Sequence, residues 1–262
     1  MIEKFSIENL SLQLGDKVLL DSIQLDLILG QTLVIMGESG SGKTLLTKLM
    51  IGQKPSQALI SGKLYYQKQD ILSFDNKDWQ QLRGKKIAYM VQNPMAMFNP
   101  FQKIKEHFYE TVLSHQSISK QDCLEKAKEM MKEVHLGHAQ RLLDSYPFEL
   151  SGGMLQRVML AILLCLEPDV FILDEPTSAL DAYNRDNIIQ ILQSLKEKGK
   201  TLVIVTHDYE LARMLGDQAA VIYKGVLVEK GEMEQVLINP QHEYSKALIL
   251  TNPYERLVEG HD

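Results

Sequence analysis

The sequence predicts an α/β protein built on a parallel sheet, with an antiparallel β region at its start and a helical lobe inserted midway. Three observations carry this. Thr32 to Met36, Ile87 to Val91, Val170 to Leu173 and Thr201 to Val205 are short apolar runs without polar alternation, the pattern of strands covered on both faces. Near the start, Phe5 to Asn9 and the alternating Ile23, Leu25, Leu27 and Leu29 read instead as strands with one buried face. Between Gln92 and Leu150 the apolar spacing turns helical.

Taken in order, Gly15-Asp16 is a turn between two of the opening strands, and Thr32 to Met36 runs directly into a glycine-rich loop. Thr44 to Ile51 continues from that loop as a helix ended near Gly52. Ile104 to Leu113 and Lys120 to Val134 are the helices of the lobe, the second opened by a capping box of Ser119 with Asp122 three residues on. Asn187 to Leu195 places Ile188, Ile191, Leu192 and Leu195 at helical spacing, and Gly199 is a natural stop before the next strand. A single domain over 1–262 is expected, with a core lobe of 1–92 and 151–250, a helical lobe of about 93–150 and a short tail, 251–262.

Composition narrows the class. With 45% apolar residues among 262, a large core needs no covalent staples. Val158 to Leu166, the longest nearly unbroken apolar run, falls short of the roughly 18 residues of a membrane span, and MIEKFSIENL lacks the apolar region of a signal peptide. A soluble chain is expected. Cys123 and Cys165 have no metal-ligand spacing and read as free buried thiols, in keeping with a reducing cytosol. A net charge of -6 argues against a nucleic-acid surface.

The chemistry concentrates in a few motifs. Gly37 to Thr44, GESGSGKT, matches GxxxxGK[ST] between a strand and a helix, the context of a phosphate loop. Gly37, Glu38, Ser39, Gly40, Ser41 and Gly42 form the loop, and its glycines let backbone N–H groups approach phosphates at a helix N-terminus. Lys43 is placed to reach the β- and γ-phosphates and the Thr44 hydroxyl to bind Mg²⁺. Asp174 and Glu175 follow an apolar strand, so both carboxylates fall at its C-terminal end, where ligands bind in open α/β sheets. Asp174 would complete the Mg²⁺ shell, and Glu175 would act on the attacking water as general base. Ser151 is a good N-cap, and with Gly152 and Gly153 it opens a helix whose exposed N–H groups make a second anion site.

The order GESGSGKT, LSGGMLQR (Leu150 to Arg157), VFILDEP (Val170 to Pro176) and SALD (Ser178 to Asp181) resembles that of the ATP-binding-cassette (ABC) ATPases, over about Ile7 to Leu250. The resemblance implies an ATPase using ATP and Mg²⁺. It implies further site residues: Gln92 as the Mg²⁺- and water-sensing glutamine, His207 as a histidine contacting the γ-phosphate, and Asp181 in the loop linking two sites across a dimer. Ser151, Gly152 and Gly153 would contact the γ-phosphate held by the opposite subunit. Met154, where most of the superfamily has Gln, together with QNPMAMFNP and NPQHEYSKAL, resembles the oligopeptide, dipeptide and nickel importers. The chain's length and lack of a cysteine cluster tilt the expected solute to nickel or a related metal complex, with oligopeptides or dipeptides as the alternative. A soluble ABC protein acting on nucleic acid or the ribosome fits less well. Expected partners are a second ABC ATPase subunit, the same or different, two membrane permease subunits and an extracellular or periplasmic solute-binding protein, with the chain at the cytoplasmic face of the membrane. One departure stands near Leu14, where the family stacks an aromatic ring on adenine; its absence predicts weaker ATP binding.

Overall fold

The computed structural model describes residues 4–178 and 180–250; the expected tail 251–262 lies outside the described residues. In chain order, strands β1 (Lys4–Leu14), β2 (Lys17–Ile28) and β3 (Thr32–Met36) lead into helix α1 (Lys43–Met50). Strands β4 (Leu59–Tyr66) and β5 (Gln69–Asp70), helix α2 (Asn76–Leu82) and strand β6 (Ile87–Met90) follow. Four helices come next: α3 (Ile104–His115), α4 (Lys120–Glu133), α5 (Ala139–Asp144) and α6 (Gly152–Cys165). Then come β7 (Val170–Asp174), α7 (Ala182–Glu197), β8 (Thr201–Val205) and α8 (Tyr209–Leu215). The described chain closes with β9 (Gln218–Tyr223), β10 (Val226–Glu232), α9 (Met233–Ile238) and α10 (Glu243–Leu250). The chain divides into two compact units, one of residues up to Asp75 together with those from Thr201 onward, the other Asn76–Lys200.

The first unit holds a mixed sheet. β1 pairs antiparallel with β2 and β4, and Leu14 faces Lys17 across the Gly15-Asp16 turn, where Gly15 takes the left-handed φ of +57°. β3 lies parallel between β8 and β9, and β10 joins the two halves, antiparallel to β9 and touching β2 at Val226 and Asp21. Every residue of β3 and β8 is buried, as unalternating apolar strands require. In β2, Ile23, Leu25 and Leu27 are buried in alternation, whereas Leu29 lies beyond the strand. β1 runs past Asn9, where the sequence pattern broke off. Asn9 has a φ of +48° and the register shifts between Ile7 and Leu10, so the polar interruption is a bulge inside one strand rather than its end.

In the second unit β6 and β7 pair in parallel, from Ile87 opposite Val170 to Met90 opposite Leu173. Helix α4 packs on α3 and α6, burying Phe108, Cys123, Ala127, Met131, Leu155 and Val158. The expected capping box is present: the Ser119 hydroxyl accepts from the Asp122 N–H at 3.1 Å, and the Asp122 carboxylate accepts from the Ser119 hydroxyl at 2.7 Å. Helix α7 buries Ile188, Ile191, Leu192 and Leu195 and begins five residues earlier than its apolar pattern, because Asp181 caps it. Gly199, at φ +73°, ends that segment. Both cysteines are buried, and burial pushes the Cys165 thiol up to about 12. Among the described residues no helix is long and apolar enough to cross a membrane.

Two substitutions test this packing by urea unfolding. Ser119→Ala removes a cap and should cost about 1 kcal/mol. Leu192→Ala opens a hole beneath a fully buried helix face and should cost about 2–5 kcal/mol. Equal losses would mean that the α7 face is not tightly packed.

Candidate active site

The residues expected to form a phosphate loop, Gly37 to Thr44, all lie in the first unit. β3 ends in Met36, and the chain must then turn at once beneath its neighbours. Gly37, at φ +144°, makes that turn: a Cβ there would sit 2.2 Å from the Ile222 carbonyl oxygen and 2.9 Å from the Ser41 Oγ. No other residue fits that space. Gly42, also left-handed, precedes α1, whose first turn has neither a side-chain cap nor an acidic residue. The positive end of the helix dipole therefore carries no acidic side chain of its own first turn. The Lys43 side chain is buried, and its Nζ donates to the carbonyls of Gly37 at 2.7 Å and Glu38 at 2.8 Å. Glu38, Ser39 and Gly40 are exposed, Ser41 is buried and Thr44 is half-buried. The same unit carries His207, exposed, two residues beyond the end of β8. Asp208 beside it caps α8 by accepting from the Leu211 N–H at 3.1 Å.

The second unit carries the remaining predicted residues. Asp174 ends β7 and Glu175 follows, and both carboxyl groups are buried. The Tyr89 hydroxyl, on neighbouring β6, donates to the Asp174 carboxylate at 3.1 Å. Glu175 holds a φ of +52°, a left-handed conformation that costs a side-chain-bearing residue of order 1 kcal/mol. What retains it is a local set of bonds: its carbonyl accepts from the Ser178 N–H at 3.2 Å and the Ser178 hydroxyl at 3.0 Å. The Gln156 amide donates to the Pro176 carbonyl, so α6 grips the same turn. Gln92 is exposed just past β6, and the next residue, Asn93, caps a short 3-10 turn at Pro94–Met97.

Ser151 caps α6 by accepting from the Met154 N–H at 3.3 Å. Gly152 is open on its outer side, whereas a Cβ at Gly153 would meet the Asn184 side chain at 2.7 Å. Asp181 is the N-cap of α7, accepting from the Asn184 N–H at 2.9 Å and from its Nδ2 at 2.7 Å. These two hydrogen bonds from Asn184 hold the Asp181 carboxyl below the usual carboxylate range. The Asn184 Oδ1 in turn accepts from the buried Arg157 guanidinium at 3.1 Å, and Arg157 also donates to the His135 carbonyl at 3.0 Å. Asn184 thus ties the start of α6 to the start of α7.

Sequence reasoning passed over Tyr89 and Asn184, and it quoted Tyr244 only within NPQHEYSKAL, without its bond to the Glu38 N–H. For Asn184 a signal existed, since it stands three residues after an N-cap aspartate. For Tyr89, inside an apolar strand, and Tyr244, far along the chain from the residue it bonds, no local pattern could have served.

Comparison with known proteins shows the family. The family model described as "ABC transporter" matches residues 20–178. The oligopeptide transport ATP-binding protein AmiE of Streptococcus pneumoniae is 39% identical over 243 residues, which are 91% of this chain and 68% of that protein. The metal-staphylopine import system ATP-binding protein CntD of Staphylococcus aureus is 34% identical over 237 residues, 90% of this chain and 88% of that protein. Among solved structures, the dimeric ATP-binding cassette MJ0796, in a post-hydrolysis state bound to ADP and Pi, superposes with a TM-score of 0.77 at 28% identity. That match covers 87% of this chain and 98% of the other. With the family model matching residues 20–178 and relatives 39% and 34% identical over 91% and 90% of the chain, this protein belongs to the ABC transporter family, as an ATP-binding, ATP-hydrolysing cassette.

Proposed function

We propose that the chain is the ATPase subunit of an importer. It works head to tail with a second such subunit at the cytoplasmic face of the membrane, driving two permease subunits supplied by a solute-binding protein. The observation that carries the nucleotide part is the phosphate loop, with its buried Lys43, its sterically obligatory Gly37 and an uncapped α1. An anion that fills such a place meets oriented N–H groups and a fixed positive charge. The oxygen donors Thr44, Asp174 and Gln92 suit Mg²⁺, which prefers carboxylate, hydroxyl, water and phosphate oxygen to nitrogen or sulfur. Among the described residues there is no group of three His, Cys, Asp or Glu that could hold a metal ion. When bound, Mg²⁺ offsets charge on the phosphate oxygens during transfer.

In this reading each side chain has one task. Lys43 binds the β- and γ-phosphates, and Glu38, Ser39, Gly40, Ser41 and Gly42 shape the loop around them. Glu175 accepts a proton from the attacking water, and the bonds that fix its strained backbone keep that carboxylate in place before nucleotide arrives. His207 and Gln92 contact the reacting phosphate and its water. Ser151, Gly152 and Gly153 offer a second set of N–H groups, used on the nucleotide of the partner subunit, and Asp181 relates the two sites. Closure on ATP and release after hydrolysis then supply the motion that a permease uses.

For the solute, we read the chain as serving the group of peptide and metal-chelate importers. The 39% identity to AmiE supports oligopeptides, and the match to CntD supports a metal complex of a small chelator; nickel itself is the narrower reading. Uptake by a deletion strain separates them. Loss of growth on oligopeptides as the amino-acid source, with metal accumulation intact, is expected for the peptide reading, and the reverse for the metal reading.

Glu175→Gln should retain ATP binding and lower turnover about 10²- to 10⁴-fold. Lys43→Ala should lose binding as well. Hydrolysis by Glu175→Gln near the parent rate would remove that residue from the chemistry. Leu14, 39% exposed at the end of β1, has room for a ring. Leu14→Tyr should tighten ATP binding about tenfold, the effect of roughly 1.4 kcal/mol of stacking, as read by calorimetry.

A further inference from the structure

The stretch NPQHEYSKAL is used by none of the roles above, yet its polar groups are tightly committed. Glu229 of β10 accepts from the Gln241 N–H at 2.7 Å and the His242 N–H at 3.0 Å, fixing the start of α10. The His242 Nδ1 accepts from the Tyr244 N–H at 3.1 Å, and the Tyr209 hydroxyl donates to the Leu248 carbonyl at 2.8 Å. On this anchored helix the Tyr244 ring stacks on Tyr223, the last residue of β9, with centroids 4.1 Å apart and planes at 29°. Its hydroxyl accepts from the Glu38 backbone N–H at 2.9 Å.

The Glu38 N–H and the Gly37 carbonyl belong to one peptide plane. That carbonyl accepts from the Lys43 ammonium at 2.7 Å. A bond on the N–H side of a planar unit fixes where its oxygen points. The turn after β9 helps from another side, since the Gly225 N–H donates to the Ser41 carbonyl at 2.9 Å. We propose that Tyr244 is a positioning residue for nucleotide binding: through the Gly37–Glu38 peptide it orients the phosphate loop and, with it, Lys43. The proposal rests on Gly37 to Thr44 being the phosphate loop.

Tyr244→Phe removes the hydroxyl and keeps the stack. In the full chain, with ATP and Mg²⁺, it should raise the Kd and the KM for ATP roughly three- to tenfold, the range of one net hydrogen bond. The kcat should change by less than the Kd, about twofold or less, since every side chain that touches the nucleotide is kept and saturating ATP restores the loop around it. A residue that only supported the fold would lower the melting temperature of the nucleotide-free chain and leave Kd unaltered well below it. An unaltered Kd, or a fall in kcat at constant KM, overturns the proposal. Lys43→Ala run beside it separates the two levels. If Lys43→Ala loses ATP and Tyr244→Phe does not, only the role of Tyr244 falls; if Lys43→Ala binds ATP like the parent, the phosphate-loop reading falls first. Should Tyr244→Phe fail to fold, amide exchange on the parent decides, because coupling is reciprocal and ATP must then slow exchange in Tyr244 to Leu250. Unchanged exchange there overturns the proposal.

Discussion

The ammonium of Lys43 is a charge taken almost wholly out of water, and its two carbonyl partners set the terms for what surrounds it. A buried cation is costly unless its donors are satisfied, and the Gly37 and Glu38 oxygens can converge on one point only if the chain reverses immediately after β3. That reversal demands a residue without Cβ at Gly37, because the Ile222 backbone is already there. Ile222 is there because β9 pairs directly with β3. β3 and β8 in turn are buried along their whole length, which their mainly apolar residues allow. Sheet order, glycine placement and the lysine are thus one arrangement seen at three scales.

The second unit solves a related problem for negative charge. Asp174 sits in the last position of a buried strand, where Tyr89 donates to it, and Glu175 is held in a conformation that its own chemistry disfavours. The bonds from Ser178 and Gln156 to that turn replace the freedom a glycine would have had. Gln156 belongs to the same helix whose start is locked by Arg157 and Asn184. The helix that opens with Ser151 therefore has two fixed points on its own unit, one beside the carboxyls and one beside Asp181.

Much of this was legible before any coordinates. Unalternating apolar runs identified the parallel strands because burial on both faces leaves few positions for polar residues, and the glycine-rich turn from β3 into α1 was plain from its spacing of glycines. Ser119 with Asp122 was readable for a similar reason, as both partners lie within one turn. What escaped was non-local or conformational. The bulge at Asn9 looks like the end of a strand in one dimension, and the contact of Tyr244 with Glu38 joins residues 206 positions apart. The strain at Glu175 leaves no trace in composition. Solute choice is beyond the reach of such patterns, since the motifs that read clearly are those proposed for nucleotide, not cargo.

The two thiols have a practical consequence. Cysteine reagents attack the thiolate, and burial both shields Cys123 and Cys165 and raises their pKa values, Cys165 to about 12. At neutral pH the two buried thiols should react only slowly with maleimides. A single cysteine introduced at an exposed position, such as Met214, would be labelled against a quiet native background. Spectroscopic distance measurements between subunits could then proceed on the native core, with no need to replace a residue that packs α4 or α6.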